Sequence, residues 1–405
     1  MTASVYLNKH SDKRLKSGHL WIYSNEIDTK RNPLATFTPG QIVKIYNSFG
    51  QGFGVGYINP HSLIAIRILS FNVDEVIDEA FFYNRISLAL KLRERFFDKP
   101  FYRLVFSEGD FLPGLIVDRY GDDFVLQLNT AGMEQQKSII IEIIKSLQAQ
   151  SIVIRNTSSI RSQEQLSPYT ECVWGSAVES ALIEENGVKF KIPLMTGQKT
   201  GWFYDHRLNR LRLKNYVKDK RILDVFSYIG GWGIQAAVFG AAEVICVDSS
   251  ASALKFVDEN AALNQVSSKV KTQLGDAFEV LEQFIRENKK FDTIILDPPA
   301  FIKRKKDIPQ GIAAYRRLNQ LAMNLLNDNG ILISASCSMH LSSENLLEIL
   351  QKSAVKNNKF CQVIAQGHQG PDHPLHPALP EMDYLKVFFA NLMASNQLVT
   401  VHGDS

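Results

Sequence analysis

The chain has 405 residues, 45% of them hydrophobic and 21% charged, and a formal net charge of +3. That balance belongs to an ordinary soluble globular protein with room for two or three cores, and it allows a nucleic-acid partner without requiring one. Four cysteines (Cys172, Cys246, Cys337 and Cys361) show neither C-x-x-C nor metal-ligand spacing, so the sequence predicts no metal and thiols kept reduced. With no apolar leader and no run long enough to span a bilayer, it reads as a cytoplasmic protein without a membrane partner.

Residues 1 to 75 are rich in short strand signals. Phe37 to Tyr46 turns at Pro39-Gly40 and then runs as a strand, and Gly52–Ile58 and Ser62–Leu69 read as two more. The pattern is that of a small β-barrel. Ahead of it, Lys9, His10, Lys13, Arg14, Lys16 and His19 precede Trp21, Ile22 and Tyr23. Basic side chains interleaved with aromatics suit phosphate contact and base stacking, and suit equally a solvated surface beside core rings.

Residues 76 to 188 read as a small α+β domain. Glu79 to Phe97 predicts a helix capped by Asp78, and Gln135 to Leu147 a second. Arg103 to Tyr120 holds two strand signals around a Gly- and Pro-bearing turn. Phe124–Leu128 and Ile152–Arg155 add strands. Glu108, Asp110 and Asp118 fit structural roles in turns and strands better than catalysis.

From residue 189 to 405 the pattern becomes α/β. Gly197 to Arg207 mixes polar residues with three consecutive aromatics (Trp202, Phe203, Tyr204), which suits a loop over a planar ligand with Arg207 near its negative end. Strands are expected at Leu223–Phe226, Val244–Val247, Val270–Leu274, Thr293–Leu296 and Ile331–Ser336. Helices are expected at 233–239, 250–264, 277–288, 313–326 and 343–353. This alternation predicts a Rossmann-like, doubly wound and mostly parallel sheet, with ligands at the C-terminal strand ends.

The first strand leads into Gly230, Gly231 and Gly233, where glycine lets backbone approach a ligand. The second strand ends on Asp248, an acid placed to accept from both ribose hydroxyls. Gly231 to Ala236 also fits G-x-G-x-x-A, so a dinucleotide-binding dehydrogenase is one reading. Asp224 inside the first strand, and Asp297-Pro-Pro-Ala-Phe301 after the fourth, argue against it.

Taken in order, Asp224, the glycine turn, Asp248, Gly275-Asp276 and the Asp-Pro-Pro-x-Phe loop resemble a class I S-adenosylmethionine methyltransferase. The segments Arg14–Ser24, Gly197-x-Lys-Thr-Gly-aromatic…Asp205-x-Arg207, Ser336-Cys-Ser338 and Asp372-His-Pro…Tyr384-Leu-Lys-x-Phe388 extend the likeness. Over nearly its full length the chain resembles the RlmI-type family of bacterial 23S rRNA cytosine-5 methyltransferases. That resemblance implies a PUA RNA-binding domain at 1–75, the α+β middle domain at 76–188 and a methyltransferase domain at 189–405 that ends with the family's closing D-H-P…Y-L-K-x-F hairpin. It implies S-adenosylmethionine as cofactor and 23S ribosomal RNA as partner, and it permits a homodimer.

The resemblance also assigns roles. Asp248 holds the ribose. Phe226, Gly230, Gly231 and Gly233 line the path of the methionyl part, with Asp224 near the cationic end and Arg207 near the carboxylate. Asp276 and Ala277 meet the adenine, although Asp276 is also placed as a helix N-cap. Pro298, Pro299 and Phe301 face the target base. Lys303, Arg304, Lys13 and Arg14 touch RNA phosphates. Carbon-5 of cytosine is a poor nucleophile until a thiolate adds to C6; Cys337 supplies that thiol and Asp297 holds the base. Where related RNA enzymes carry a second cysteine, this chain has Pro299-Ala300. Two alternatives stay open: methylation of a ring or exocyclic nitrogen on the same scaffold, with Cys337 passive, and a non-catalytic RNA-binding assembly factor.

Overall fold

Short strands with apolar residues at every second position open the chain, the pattern of a sheet with one buried face. In the computed structural model, which describes residues 2–176, 178–195, 197 and 200–395, they are β1 (Ala3–Tyr6), β2 (Trp21–Tyr23), β3 (Gln41–Tyr46), β4 (Gly52–Ile58) and β5 (Ile64–Ser70). A single-turn helix, α1 (Lys13–Lys16), precedes β2. The strands form one sheet in the order β1-β3-β4-β5-β2, and a bridge between Leu7 and Ile27 links the chain just past the two edge strands. Val5, Ile22, Val43, Ile45, Ile58, Ile66 and Ile68 fill its interior.

A second sheet follows. Helix α2 (Glu79–Arg93) starts where expected, with the Asp78 carboxylate accepting from Phe81 N at 3.0 Å. It ends at Arg93 rather than Phe97, because the Asp98-Lys-Pro100 turn signal follows. Strands β6 (Phe101–Phe106), β7 (Leu115–Tyr120) and β8 (Asp123–Leu128) lead to α3 (Ala131–Gln135) and α4 (Lys137–Ser146). The single helix expected over 135–147 is thus two, broken at Gln136, whose ψ is 7°. After β9 (Ser151–Asn156), α5 (Ile160–Gln163) and β10 (Tyr169–Trp174), the sheet order is β10-β9-β8-β7-β6. The three acids read as structural have arginine partners: Glu108 with Arg67 at 3.1 Å, Asp110 with Arg93 at 2.7 Å and Asp118 with Arg103 at 2.8 Å.

These two sheets lie in one compact unit, made of Met1–Ile183, Ile192–Tyr204 and Pro371–Met382. The late segment is anchored there chemically. Arg93 donates to the Asp372 carbonyl, Arg103 N donates to the Asp372 carboxylate at 3.2 Å, and Leu379 and Met382 join the N-terminal core. The ribbon β11 (Ser180–Glu185) and β12 (Val188–Pro193) follows the second sheet in the chain.

The second unit holds Glu184–Lys191, Asp205–Gly370 and the chain from Asp383 onward. Its elements are α6 (Arg207–Leu211), β13 (Arg221–Val225), α7 (Gly231–Val238), β14 (Glu243–Asp248), α8 (Ala251–Leu263), β15 (Val270–Leu274), α9 (Ala277–Arg286), β16 (Phe291–Leu296), α10 (Ile308–Leu325), β17 (Leu326–Ser336), α11 (Ser343–Lys356), β18 (Lys359–Gly367) and β19 (Lys386–Ala394). The seven strands run β15-β14-β13-β16-β17-β19-β18. All the neighbours from β15 to β17 are parallel, and β19 is antiparallel to both β17 and β18. The order reverses between β13 and β16, so a crevice opens at their C-terminal ends.

Three details depart from the sequence reading. β17 begins at Leu326 rather than Ile331: its register against β16 jumps from Phe291↔Leu326 to Thr293↔Ile331, so the turn-like Asn327 to Gly330 are absorbed as a bulge. Helix α10 starts five residues early, at Ile308, with Pro309 in its first turn, where a missing N–H costs nothing. The C-terminal hairpin is β18–β19, and Asp372-His-Pro lies in the long loop between these strands rather than in a strand. Among the described residues no helix is long and apolar enough to cross a membrane.

Candidate active site

The turn leaving β13 is backbone-strained. Phe226 has φ 66°, Tyr228 φ 52° and Gly230 φ 86°. Left-handed geometry is costly for a bulky aromatic, and such strain persists where the surroundings enforce it. Here the enforcement is visible: Ser227 N donates to Val247 O, Gly230 N to Ser227 O, and Tyr228 N to the Asp248 carboxylate at 2.8 Å. The turn delivers α7 with its first N–H groups at the strand ends. Gly233 N donates to Asp224 Oδ2 at 2.8 Å. A Cβ at Gly233 would meet Cys246 Sγ at 2.4 Å and Asp224 Oδ2 at 3.0 Å. Gly233→Ala therefore costs about 1–3 kcal/mol, read as a lower denaturant midpoint at unchanged slope.

Asp224 is fully buried, and its Oδ1 has no hydrogen-bond partner. Burial raises its carboxyl to about 8, with the charges of Asp297 and Asp248 adding to the rise and the Gly233 N–H opposing it. Asp248 spends one oxygen on Tyr228 N and the other on Ser250 N at 2.8 Å, so it orders both the turn after β13 and the start of α8. Asp276 is exposed and caps α9, accepting from Phe278 N at 2.9 Å. The N-cap reading of this residue thus holds, whatever else its free oxygen does; Ala277, the next residue, is buried.

The Asp-Pro-Pro loop and the cysteine turn adjoin. Cys337 Sγ lies 3.9 Å from the Pro298 carbonyl oxygen, and Ile302 N donates to Ser338 Oγ at 3.2 Å. Tyr315 on α10 fixes the turn: its hydroxyl is 2.9 Å from both Ser336 Oγ and Ser338 Oγ. Burial raises that phenol, so it stays neutral. Pro299 is exposed, and Phe301 is half-buried, its ring 4.8 Å from that of Tyr315 and 6.3 Å from those of Phe226 and Phe278. Cys246, in contrast, is core, and burial pushes its thiol up.

Asp297 is held from two sides. Its Oδ1 is 3.2 Å from His206 Nε2, and its Oδ2 accepts from the Trp232 indole N–H at 3.0 Å. Burial alone would raise this carboxyl; the His206 charge and the bonds from His206 and Trp232 outweigh it and hold the group below the usual carboxylate range. The His206 ring lies 5.3 Å from that of Trp232, edge-on. Sequence reading missed both residues. Trp232 sits inside the glycine turn and His206 two positions after the aromatics, so proximity to Asp297 has no signal in spacing.

The segment around His206 buries three ionisable residues in a row, each with its own partner. Asp205 accepts from the Tyr384 hydroxyl at 2.6 Å, and Arg207 lies 3.6 Å from Glu185, which Arg210 also grips at 2.6 Å. Arg207 is thus part of a buried ion cluster in the second unit. Two of the rings expected over a planar ligand are packing instead. Trp202 and Tyr204 are 2% and 1% exposed, and Tyr204 stacks on Tyr120 at 5.5 Å in the first unit. Gln198 and Lys199 of this motif lie outside the described residues.

The basic residues divide. Lys13, Lys303 and Arg304 are exposed, and Arg304 pairs loosely with Asp307 at 3.5 Å. Arg14 is committed internally: its guanidinium binds both Glu26 oxygens at 2.8–2.9 Å and lies 4.8 Å over the Tyr23 ring. Among the described residues no cluster of three His, Cys, Asp or Glu side chains could hold a metal.

Comparison with known proteins supplies a frame for this geometry. A PUA-like domain family matches residues 5–71, and an S-adenosylmethionine-dependent methyltransferase family matches residues 135–378. The chain is 37% identical over 394 residues to ribosomal RNA large subunit methyltransferase I of Aliivibrio fischeri, covering 96% of this chain and 99% of that one. The protein of the same name from Escherichia coli is 34% identical over 399 residues, 97% and 100% of the two chains. Among solved structures, a methyltransferase complexed with SAH superposes with a TM-score of 0.82 at 21% identity, covering 96% of this chain and 100% of the other. An S-adenosylmethionine-dependent methyltransferase from Streptococcus mutans gives 0.81 with the same identity and coverage. At that identity the likeness concerns the fold.

Proposed function

The chain belongs to the S-adenosylmethionine-dependent methyltransferases of the ribosomal RNA large subunit methyltransferase I family, and on that premise we propose that it methylates C5 of a cytosine in 23S rRNA through a thiolate adduct at Cys337. One observation carries the proposal beyond methylation in general. A cysteine at the C-terminal end of β17 lies against the Asp-Pro-Pro loop, its sulfur 3.9 Å from the Pro298 carbonyl. Nitrogen methylation needs no thiol there.

The residues at the strand ends fit the cofactor. A buried acid with one unpartnered oxygen, Asp224, suits a ligand that carries positive charge, and the buried, unpartnered Ser227 Oγ lies in the same turn. Phe226, Gly230, Gly231 and Gly233 would border the methionyl part, Asp248 the ribose, and Asp276 with Ala277 the adenine. Arg207 would act through the Glu185 cluster that holds its guanidinium. Bound S-adenosylmethionine supplies an electrophilic methyl group.

The chain's own residues do the rest. Cys337 Sγ adds to C6 of the cytosine, and the displaced electron pair makes C5 nucleophilic. Asp297, fixed by His206 and Trp232, accepts from the exocyclic amino group of the base and, once N3 takes up a proton from solvent as the thiolate adds, from that N3–H as well, which leaves the adduct without the charge at N3. Once C5 is methylated, its proton leaves to a base, the C6–S bond breaks and the thiolate returns. Pro299 and Phe301 border the base. Lys303 and Arg304, with Lys13 and its neighbour Arg14 in the PUA-like region, give the RNA backbone its cations, Arg14 only so far as Glu26 releases it.

Asp224 makes the cofactor's affinity pH-dependent. With its carboxyl raised to about 8, the free protein holds it protonated at neutral pH. A cation beside it favours the carboxylate, so binding releases a proton, and affinity strengthens as pH rises, by up to about tenfold per pH unit, levelling above about 8. The linkage on the free fold has the opposite sense. A group whose folded value is raised contributes stability below its unfolded value of 3.8 and loses it as pH climbs through about 8. Calorimetry in two buffers of different ionisation heat reads the released proton; identical heats contradict this account. Asp224→Asn weakens binding while leaving the free protein more stable at pH 9.

The function itself is tested by nucleoside mass spectrometry of rRNA lacking the modification, incubated with the protein and S-adenosylmethionine. The expected product is 5-methylcytidine. A methylated purine instead would assign the Asp-Pro-Pro loop to nitrogen chemistry, and no product would favour an assembly factor.

A further inference from the structure

Behind Cys337 the second unit buries a lysine that the reaction described above does not use. Lys386 opens β19 and pairs in register with Ser336, the residue before the cysteine. It is 5% exposed. Its Nζ donates to the Ser338 carbonyl at 2.8 Å and to the Tyr384 carbonyl at 2.8 Å. Two of the three ammonium donors are therefore satisfied by neutral carbonyls, one of them belonging to the residue after Cys337. A buried ammonium held only by carbonyls is expensive unless a negative charge stands nearby.

We propose that Lys386 is a positioning residue for Cys337: it pins the 336–338 turn from behind and supplies the positive charge that holds the cysteine as thiolate. The inference rests on the reading of Cys337 as nucleophile. Three elements of the described residues bring groups to the cysteine. From α10 comes the Tyr315 phenol, which burial keeps neutral; from the loop after β16 come the Pro298 carbonyl and, one residue earlier, Asp297; from β19 comes Lys386. Asp297 is itself balanced by His206. Lys386 is thus the cation facing the thiol among these groups. Consistently, burial lowers the Lys386 ammonium, while the charges of Asp383 and Cys337 pull it back up.

The test uses the cofactor-free protein. Carbamidomethylation of Cys337 by iodoacetamide is followed by peptide mass spectrometry from pH 6 to 10 in wild type, Lys386→Gln and Lys386→Arg. Gln keeps a donor for the carbonyls and removes the charge; Arg keeps the charge. In wild type the midpoint is expected below the value of about 8.5 for an ordinary thiol. In Lys386→Gln the rate at pH 7 falls about tenfold, the effect of one unit in thiol acidity, and Lys386→Arg restores most of it. Superimposable profiles for wild type and Lys386→Gln overturn the proposal, as does a wild-type midpoint at or above that of an ordinary thiol. The latter decides the matter even where Lys386→Gln fails to fold. Methylation by Cys337→Ala, run in parallel, separates the two ideas. Retained methylation removes the thiol mechanism; lost methylation with an unmoved Lys386→Gln profile removes only the role of Lys386.

Discussion

Cys337→Ala is expected to abolish 5-methylcytidine formation, lowering the rate at least about a thousandfold, while S-adenosylmethionine binds as before. The size follows from the chemistry. Without addition at C6, C5 of cytosine offers no electron pair able to take a methyl group, and among the described residues no second cysteine lies at the turn to replace the thiol. Cys246 is sealed in β14, and Pro299-Ala300 carries no side-chain nucleophile. The selectivity follows from position. The sulfur lies against the Asp-Pro-Pro loop, whereas most of the residues proposed for the cofactor lie in or just after β13, β14 and β15. Removing one sulfur atom from a half-buried turn held by Tyr315 and Ser338 also leaves the fold intact. A variant that loses binding and thermal stability together with activity would show that Cys337 is structural.

Asp297→Asn is expected to lower methylation by about a hundredfold or more. The substituted amide still accepts at one oxygen, but it loses the anionic charge that faces His206 and presents an N–H₂ where the base amino group also donates. The pair with His206 adds a pH signature. His206 opposes the burial that would otherwise raise Asp297, so in His206→Gln the Asp297 carboxyl rises and the acid limb of the kcat profile moves to higher pH. The sign for stability agrees. Asp297 is depressed in the folded protein, so its contribution is present above the unfolded value of 3.8 and is lost as pH falls through the folded one. An acid limb that stays in place in His206→Gln contradicts the pairing.

The parts of this site that are local in sequence were legible there. Strand β13, the glycine turn, the acid closing β14 and the Asp-Pro-Pro loop each combine a residue type with a neighbouring element, and periodicity places both. The position of Cys337 at a strand end was legible too. What escaped depends on tertiary contacts. His206 and Trp232 meet Asp297 across separations of 91 and 65 residues, and Lys386 meets Ser338 across 48. Nothing in the local pattern of any of them differs from a core residue. Arg14 misled for the converse reason. A basic residue among aromatics reads as an open cation, yet Glu26 twelve residues on consumes its guanidinium. Within the aromatic run at 202–204, Trp202 and Tyr204 likewise are buried, Tyr204 against Tyr120. At the level of fold, Asn327-Asp-Asn-Gly330 looks like a turn ending one element and is instead a bulge within β17, because the strand on either side pairs with β16.

The central claim is a covalent bond between Cys337 and C6 of the target cytosine, and the most direct measurement traps it. RNA containing 5-fluorocytidine at the modified position is incubated with the protein and S-adenosylmethionine. Fluorine at C5 cannot leave as a proton does, so methyl transfer is followed by no elimination and the adduct persists. The account predicts a protein–RNA species stable to denaturant, whose crosslinked peptide after digestion contains Cys337, and which is absent for Cys337→Ala. Methylation of ordinary RNA without any trapped species, or a crosslink mapped to another residue, would contradict it.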